Sequence, residues 1–136
     1  MISYGKQSID SKDIEAIVKI LRSPFLTQGP AVEEFEKTLA KKVGAEYCVS
    51  FSNGTAALFA ACEAIGIKKG DEVIVPTLSF VASANCVVYC NGKPVLVDVN
   101  KDDNTINLQQ IIKKVTSKTR AIIGVDFAGH VCDWDE

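Results

Sequence analysis

The feature that most constrains the fold is a regular alternation of short apolar runs with helical segments after residue 46. Four runs rich in apolar and β-branched residues predict strands at 47–51, 72–75, 94–99 and 121–125. The segments between them carry apolar residues at helical spacing, at 55–65, 81–90 and 108–115. Strands that alternate with helices in this way pair in parallel and are covered from above and below. The sequence therefore predicts an α/β fold with a mostly parallel sheet and helices on both faces.

Two further helices are predicted ahead of this alternation. Apolar residues recur at helical spacing over residues 10–22, where Asp10 is suited to cap the first turn, and again over residues 30–43. The second helix is expected to bury an apolar face made of Val32, Phe35, Leu39 and Val43. We therefore divide the chain into an N-terminal helical segment, residues 1–45, and an α/β segment, residues 46–136.

Composition excludes several classes of protein. The net charge of -2 and the isoelectric point of about 5.4 leave no basic surface for nucleic acid. No apolar run approaches the ~20 residues of a membrane helix, and the N-terminus lacks the apolar core of a signal peptide. Five scattered cysteines suggest free thiols in a reducing compartment. We expect a cytoplasmic protein with neither nucleic acid nor membrane as a partner.

A first candidate site is the run Ser-Asn-Gly-Thr-Ala-Ala at 52–57, between a predicted strand and a predicted helix. Unpaired N–H groups at a helix start favour an anion, Gly54 allows close approach to the backbone, and the Thr55 hydroxyl adds a donor. The alternative is that Asn53 or Thr55 simply caps the helix. The residues alone leave both interpretations open.

Two other candidates follow predicted strands, at the sheet edge where α/β proteins bind ligands. Phe80 lies among small polar residues and is suited to stack on a flat ring, and the alternative is that it packs in the core. Asp126 follows the last apolar run, close to His130, the only histidine. The alternative for this pair is a solvated loop.

Cys86 and Cys90 are four residues apart on a predicted helix. Two thiols on an apolar helix face pack more often than they bind metal, and no second pair completes a zinc site. No metal is predicted.

Six motifs in order carry a resemblance to a known family. They are Leu-Thr-Gln-Gly-Pro at 26–30, Ser-Asn-Gly-Thr-Ala-Ala-Leu at 52–58, Gly-Asp-Glu-Val-Ile-Val-Pro at 70–76, Ser-Phe-Val-Ala-Ser-Ala-Asn at 79–85, Pro-Val-Leu-Val-Asp-Val at 94–99 and Ala-Ile-Ile-Gly-Val-Asp-Phe-Ala-Gly at 121–129. The chain resembles the DegT/DnrJ/EryC1/StrS family of pyridoxal-phosphate-dependent nucleotide-sugar aminotransferases along its whole length.

The resemblance implies the N-terminal half of the large domain of an aspartate-aminotransferase-like, fold type I enzyme, and a homodimer. It implies pyridoxal 5'-phosphate as the cofactor. Cofactor-binding roles fall to Gly54, Thr55, Ala56, Phe80 and Asp126. Roles in binding the nucleotide sugar fall to Thr27, Gln28 and Gly29.

The run Asp-Phe-Ala-Gly at 126–129 departs from the histidine-containing form common in this family. With the Leu-Thr-Gln-Gly motif, it resembles the branch that forms UDP-4-amino-4,6-dideoxy-N-acetyl-altrosamine. By resemblance, glutamate is the amino donor and the 4-keto group of a nucleotide-linked deoxysugar is the acceptor.

The family's catalytic lysine and its acidic partner for the pyridine nitrogen are expected beyond residue 136, so no catalytic residue is assigned here. The 136-residue chain is expected to be inactive by itself. Two alternatives remain: a dehydratase of the same family, in which histidine replaces the lysine, and a non-catalytic fragment with only a phosphate-binding loop.

Overall fold

A computed structural model describes residues 5–135, and they form two compact units, one up to Ser50 and one from Phe51 onwards. The N-terminal unit contains α1 (Ser11–Leu21) and α2 (Pro30–Val43). The C-terminal unit contains α3 (Gly54–Ala64), β1 (Glu72–Pro76), α4 (Ala82–Tyr89), β2 (Lys93–Val97), α5 (Leu108–Lys114), β3 (Thr119–Ile122) and a 3-10 turn (Phe127–Gly129). No helix in the described part of the chain is long and apolar enough to cross a membrane.

The three strands form one parallel sheet in the order β2-β1-β3. On one side β1 pairs with β2 from Glu72 opposite Lys93 to Pro76 opposite Val97. On the other side β1 pairs with β3, with a register shift after its first residue. The central position of β1 in the sheet explains why all five of its residues are buried.

Successive residues of β1 point to opposite faces of the sheet, and each face is covered. Val73 and Val75 pack in one cluster with buried residues of α3 and α4, among them Cys62 and Val87. Ile74 packs in a second cluster with Val97 of β2 and Ile111 of α5. The predicted α/β class is confirmed, including a parallel sheet with helices on both faces.

The predicted strand at 47–51 is wrong. This segment forms no strand, and its alternate side chains Tyr47, Val49 and Phe51 are exposed. A β-prone run becomes a strand only when a neighbour accepts its hydrogen bonds, and no described strand pairs with it. The last predicted strand also begins earlier, because β3 starts at Thr119.

Helix α1 begins as predicted, since Asp10 caps it. The Asp10 carboxylate accepts hydrogen bonds from the N–H groups of Lys12 and Asp13, while the Asp13 side chain accepts from the Asp10 N–H. Helix α2 ends at Gly44, whose φ of 70° is the left-handed conformation that glycine adopts most easily.

The expectation that α2 buries an apolar face is wrong within the described chain. Val32, Phe35 and Val43 are exposed, and Ala40 is the helix's buried residue. An amphipathic pattern specifies an apolar face but does not supply the surface that covers it.

Candidate functional site

The candidate site of the C-terminal unit lies at one edge of its sheet. The strands are parallel, so the loops that follow β1 and β3 leave the sheet at the same edge. Helix α3 leads into the amino end of β1 through a short loop, and its Leu58 and Cys62 belong to the cluster that also contains Val73 and Val75 of β1. Because α3 ends near the amino end of β1, its first turn lies toward the opposite, carboxyl edge. The architecture therefore brings the start of α3, Phe80 and Asp126 to one edge, as α/β ligand sites require.

The first turn of α3 has N–H groups available for an anion. Asn53 caps the helix, because its Oδ1 accepts from the N–H of Ala56 at 2.9 Å, and its carbonyl accepts from the N–H of Ala57. The N–H groups of Gly54 and Thr55 have no hydrogen-bond partner in the described chain. Capping and anion binding are therefore compatible here, with Ala56 engaged by the cap and the two preceding N–H groups open.

The approach to this turn is unobstructed. A Cβ atom placed on Gly54 would meet nothing within 4 Å, and the turn itself lies at the surface. The Thr55 hydroxyl also has no hydrogen-bond partner among the described residues. Partial positive charge at a helix N-terminus favours a negatively charged group at such a position.

Phe80 is not a core residue. It is 71% exposed and lies in the loop between β1, which ends at Pro76, and α4, which begins at Ala82. Its backbone carbonyl accepts from the N–H of Ser83, and the hydroxyl of Ser79 donates to the carbonyl of Pro76. The turn is therefore held by its backbone, while the aromatic ring is left accessible for stacking.

Asp126 stabilises the loop after β3. Its Oδ1 accepts from the N–H of Cys132 at 3.0 Å, and the Cys132 thiol donates to the carbonyl of Val125. Between them, Ala128 adopts a left-handed φ of 52°, which is unusual for a residue with a side chain. One carboxylate oxygen thus holds the loop closed, and the other faces no described partner.

Sequence reasoning missed a link between the ends of β1 and β2. Thr77 donates its backbone N–H to the carbonyl of Val97 at 2.8 Å, and its hydroxyl lies 3.4 Å from Oδ1 of Asp98. A polar residue directly after each of two strands was the available signal, since Asp98 and Thr77 occupy equivalent positions at this edge.

His130 lies beside a polar cleft formed with the loop after β2. The lining includes Asn100, Asp103, Thr105 and Asn107. These side chains largely satisfy one another: the hydroxyl and N–H of Thr105 donate to Asp103, and the amide of Asn107 donates to Asn100. The Thr105 contacts hold the pKa of Asp103 below its usual value. His130 is exposed, which agrees with the solvated-loop interpretation.

The residues predicted to bind substrate lie in the N-terminal unit. Thr27 and Gln28 are exposed, and Gln28 has a left-handed φ of 50°. Gly29 caps α2, and a Cβ there would lie 2.7 Å from the Cβ of Phe25. Glycine is therefore required for this close approach. Together with Phe25 and Glu33, Gln28 and Gly29 line a shallow depression on this unit.

The cysteines of α3 and α4 form a packed thiol cluster. Cys62 and Cys86 have their sulfur atoms 3.6 Å apart, and Cys90 is buried beside them. Burial raises the pKa of Cys62 to about 12 and that of Cys90 to about 11. Within residues 5–135, no group of three or more His, Cys, Asp or Glu side chains is arranged to hold a metal. These thiols pack in the core of the unit.

A parallel sheet whose carboxyl edge presents an open helix N-terminus and an accessible aromatic ring defines an α/β domain suited to a phosphorylated, ring-containing cofactor. Comparison with known proteins agrees with this class. The model of the DegT/DnrJ/EryC1/StrS aminotransferase family matches residues 7–136, and the chain belongs to that family. The predicted family and fold are confirmed.

Individual relatives give the same result. The spore coat polysaccharide biosynthesis protein SpsC of Bacillus subtilis is 38% identical over 98% of this chain and 34% of its own length. The GDP-perosamine synthase of Escherichia coli O157:H7 is 37% identical over 99% of this chain and 37% of its own. Solved structures of Spr1654 from Streptococcus pneumoniae, in PLP and PMP forms, superpose with a TM-score of 0.91 at 33% identity, over 98% of this chain and 34% of theirs.

The chain spans about a third of the length of the relatives it matches. The family is one of PLP-dependent enzymes, which confirms the predicted cofactor class.

Proposed function

We propose that this chain supplies the phosphate-binding turn and the ring-stacking residue of a PLP-dependent aminotransferase acting on a nucleotide-linked deoxysugar. The amino group passes from glutamate to the 4-keto group of that sugar. In this proposal the lysine that binds the cofactor covalently lies outside these 136 residues, and the 136 residues alone do not catalyse transamination.

The observation that carries the proposal is the pair of open N–H groups at the start of α3, on the sheet edge that also carries Phe80. A phosphate monoester bears close to two negative charges near neutral pH and presents three acceptor oxygens. The N–H groups of Gly54 and Thr55, with the Thr55 hydroxyl, provide three donors of matching character. The residues present therefore fit the phosphate end of the cofactor.

When bound, pyridoxal phosphate supplies an electron sink for chemistry at the carbon that bears the amino group. The residues of this chain would bind and orient the cofactor. Gly54 and Thr55 would hold the phosphate, and the ring of Phe80 would stack on the ring of the cofactor. Asp126 keeps the loop after β3 closed through its bond to the Cys132 N–H, and its second carboxylate oxygen would be available to the cofactor.

Thr27, Gln28 and Gly29 are proposed to contact the nucleotide sugar. In support, Gln28 and Gly29 border a depression on the N-terminal unit, and the left-handed turn at Gln28 presents its amide to solvent. We assign the UDP-4-keto-6-deoxy-N-acetylhexosamine branch from the Asp-Phe-Ala-Gly and Leu-Thr-Gln-Gly runs. The whole enzyme is proposed to be a cytoplasmic homodimer. Within this chain, residues 1–45 are proposed to form an N-terminal helical segment and residues 46–136 the first part of the cofactor-binding domain.

The phosphate role is tested by substituting Thr55 with alanine. A hydrogen bond to a charged group contributes about 1.5–3 kcal/mol, so Thr55→Ala is expected to weaken binding of pyridoxal phosphate by at least about tenfold. Binding is measured by the change in cofactor absorbance on titration, with inorganic phosphate as competitor. Thr38→Ala is the matched control, since Thr38 is exposed on α2.

Unchanged affinity in the Thr55→Ala variant would refute the phosphate role of this hydroxyl.

The class of sugar acceptor has a separate test, in which the chain is joined to the remaining segments of a full-length family member. Amino transfer from glutamate is then compared between UDP-linked and GDP-linked 4-keto sugars. Preference for the GDP-linked sugar would overturn the branch assignment while leaving the cofactor role intact.

A further inference from the structure

The chain contains two Asn-Gly sequences, Asn53-Gly54 and Asn91-Gly92, and the structure treats them differently. An asparagine followed by glycine is the pair most open to deamidation, because glycine has no side chain to hinder attack by its backbone nitrogen. We propose that Asn53 is a site of spontaneous deamidation at the start of α3, and that Asn91 is protected by the fold.

The covalent step needs no oxidant and no cofactor. The nitrogen of Gly54 loses its proton and attacks the side-chain carbonyl carbon of Asn53, so that a carbon–nitrogen bond forms. The bond from that carbon to the amide nitrogen breaks, and ammonia leaves with the proton. Water then opens the five-membered imide at either carbonyl, giving aspartate or isoaspartate at position 53.

The surroundings of Asn53 leave the attacking nitrogen of Gly54 free, while the Asn53 side chain itself is held by bonds from the Ala56 N–H and to the Ser52 hydroxyl. The Gly54 N–H is engaged by no acceptor in the described chain, so no hydrogen bond must break before it loses its proton. The Ala56 N–H donates to the Asn53 side-chain oxygen at 2.9 Å, so a hydrogen-bond donor lies beside the oxygen on which negative charge develops during attack. Partial positive charge at the helix N-terminus further favours the anionic nitrogen. Both residues are exposed, which leaves room for the required rotation.

The surroundings of Asn91 oppose the same reaction. The Gly92 N–H donates to the carbonyl of Val87 at 2.9 Å, and the Asn91 N–H donates to that of Val88. A Cβ on Gly92 would lie 2.7 Å from Ile67 and 2.9 Å from Val87, so the backbone is packed against the core. Closing an imide ring here requires breaking a hydrogen bond and moving Gly92 away from both side chains.

The test is peptide mapping by mass spectrometry of the 136-residue chain held at mildly alkaline pH. We expect Asn53 to deamidate about tenfold faster than Asn91, from the hydrogen bond retained at Gly92 and the charge at the α3 start. In concentrated urea the two rates should converge. Equal rates in the folded chain, or an unmodified Asn53, would overturn the proposal.

Two variants locate the reaction. Gly54→Ala should slow modification of Asn53 without disturbing the fold, because the added Cβ meets nothing within 4 Å. Asn53→Ser keeps an N-capping oxygen and removes the reactive amide, so that modification at this position should disappear. Undiminished deamidation of Asn53 in the Gly54→Ala variant would contradict attack by the Gly54 nitrogen.

One arm rests on the proposed function. Inorganic phosphate bound at Gly54 and Thr55 would engage the attacking N–H and slow the reaction, whereas sodium chloride at equal ionic strength would not. Slowing by phosphate supports the phosphate-binding turn. Absence of slowing would overturn that binding role. The deamidation proposal would still stand or fall on the ratio of the Asn53 and Asn91 rates measured without phosphate.

Discussion

The hydroxyl of Thr116 donates a 2.7 Å hydrogen bond to Oε2 of Glu72, although the two residues are 44 positions apart. The other carboxylate oxygen of Glu72 lies 3.0 Å from Nζ of Lys93. Glu72 begins β1, Lys93 begins β2, and Thr116 lies in the loop just before β3, which begins at Thr119. One carboxylate therefore joins the amino ends of all three strands, at the sheet edge opposite the candidate site.

These contacts predict an acid-sensitive contribution to stability. The Thr116 bond, followed by Lys93, lowers the pKa of Glu72 from its ordinary value of 4.5. The unfolded chain then binds more protons than the folded chain as pH falls. The stability that Glu72 contributes is therefore complete above pH 4.5 and is lost as pH falls through the lower, folded pKa.

We expect Glu72→Gln to lower the melting temperature at neutral pH and to flatten its decline below pH 4.5 relative to the unmodified chain. Thermal unfolding monitored by circular dichroism across this range measures both effects. Glu34→Gln, an exposed position on α2, should leave the profile unchanged. Parallel profiles for the Glu72 variant and the unmodified chain would contradict the prediction.

Substitution of Gly92 by alanine is expected to destabilise the C-terminal unit. The new Cβ would lie 2.7 Å from Cγ2 of Ile67 and 2.9 Å from Cγ1 of Val87. Both neighbours are buried in the α3–α4 core and cannot move aside freely. Overpacking of this kind costs about 1–3 kcal/mol, which urea denaturation would show as a lower midpoint.

The matched control is Gly54→Ala, where the added Cβ meets nothing within 4 Å. Its unfolding midpoint should stay within experimental error of the unmodified chain or rise slightly, since alanine favours the helix more than glycine does. A Gly92→Ala variant as stable as the Gly54→Ala variant would show that the core relaxes around the extra methyl group.

The buried thiols of Cys62 and Cys90 should resist alkylation in the folded chain. The thiolate is the reactive species, and burial raises the two pKa values to about 12 and about 11. Iodoacetamide at neutral pH should therefore label the partly exposed Cys48 well before either of them. Mass spectrometry of digested samples reports each position, and labelling in urea provides the control. Equal labelling of the three in the folded chain would be inconsistent with this core.

The class of fold was predictable from sequence because it follows from local patterns. The apolar run at β1 and the helical spacing around it require a covered parallel sheet. The strand predicted at 47–51 failed for a non-local reason, since a strand exists only where another chain segment pairs with it. The order β2-β1-β3 and the contact between Glu72 and Thr116 are likewise non-local, and no spacing in the sequence encodes them.

The candidate site was predictable in position more than in detail. The start of α3 was expected from its glycine and its polar neighbours, but the sequence left capping and anion binding as alternatives. The structure gives Asn53 the cap and leaves Gly54 and Thr55 open. For Phe80 the sequence could not separate core from surface, because an aromatic residue beside small polar residues is compatible with both.

That exposure makes Phe80 a residue whose loss should affect binding without affecting folding. With the side chain 71% exposed, Phe80→Ala should change the free energy of unfolding by less than about 0.5 kcal/mol. Stacking of aromatic rings contributes about 0.5–1.5 kcal/mol, so affinity for pyridoxal phosphate should fall by roughly two- to tenfold. Tyr47→Ala, at a 78% exposed aromatic position in the N-terminal unit, is the control. Loss of stability in the Phe80 variant would show that its ring packs within the protein. Retained cofactor affinity would show that the ring does not stack on the cofactor.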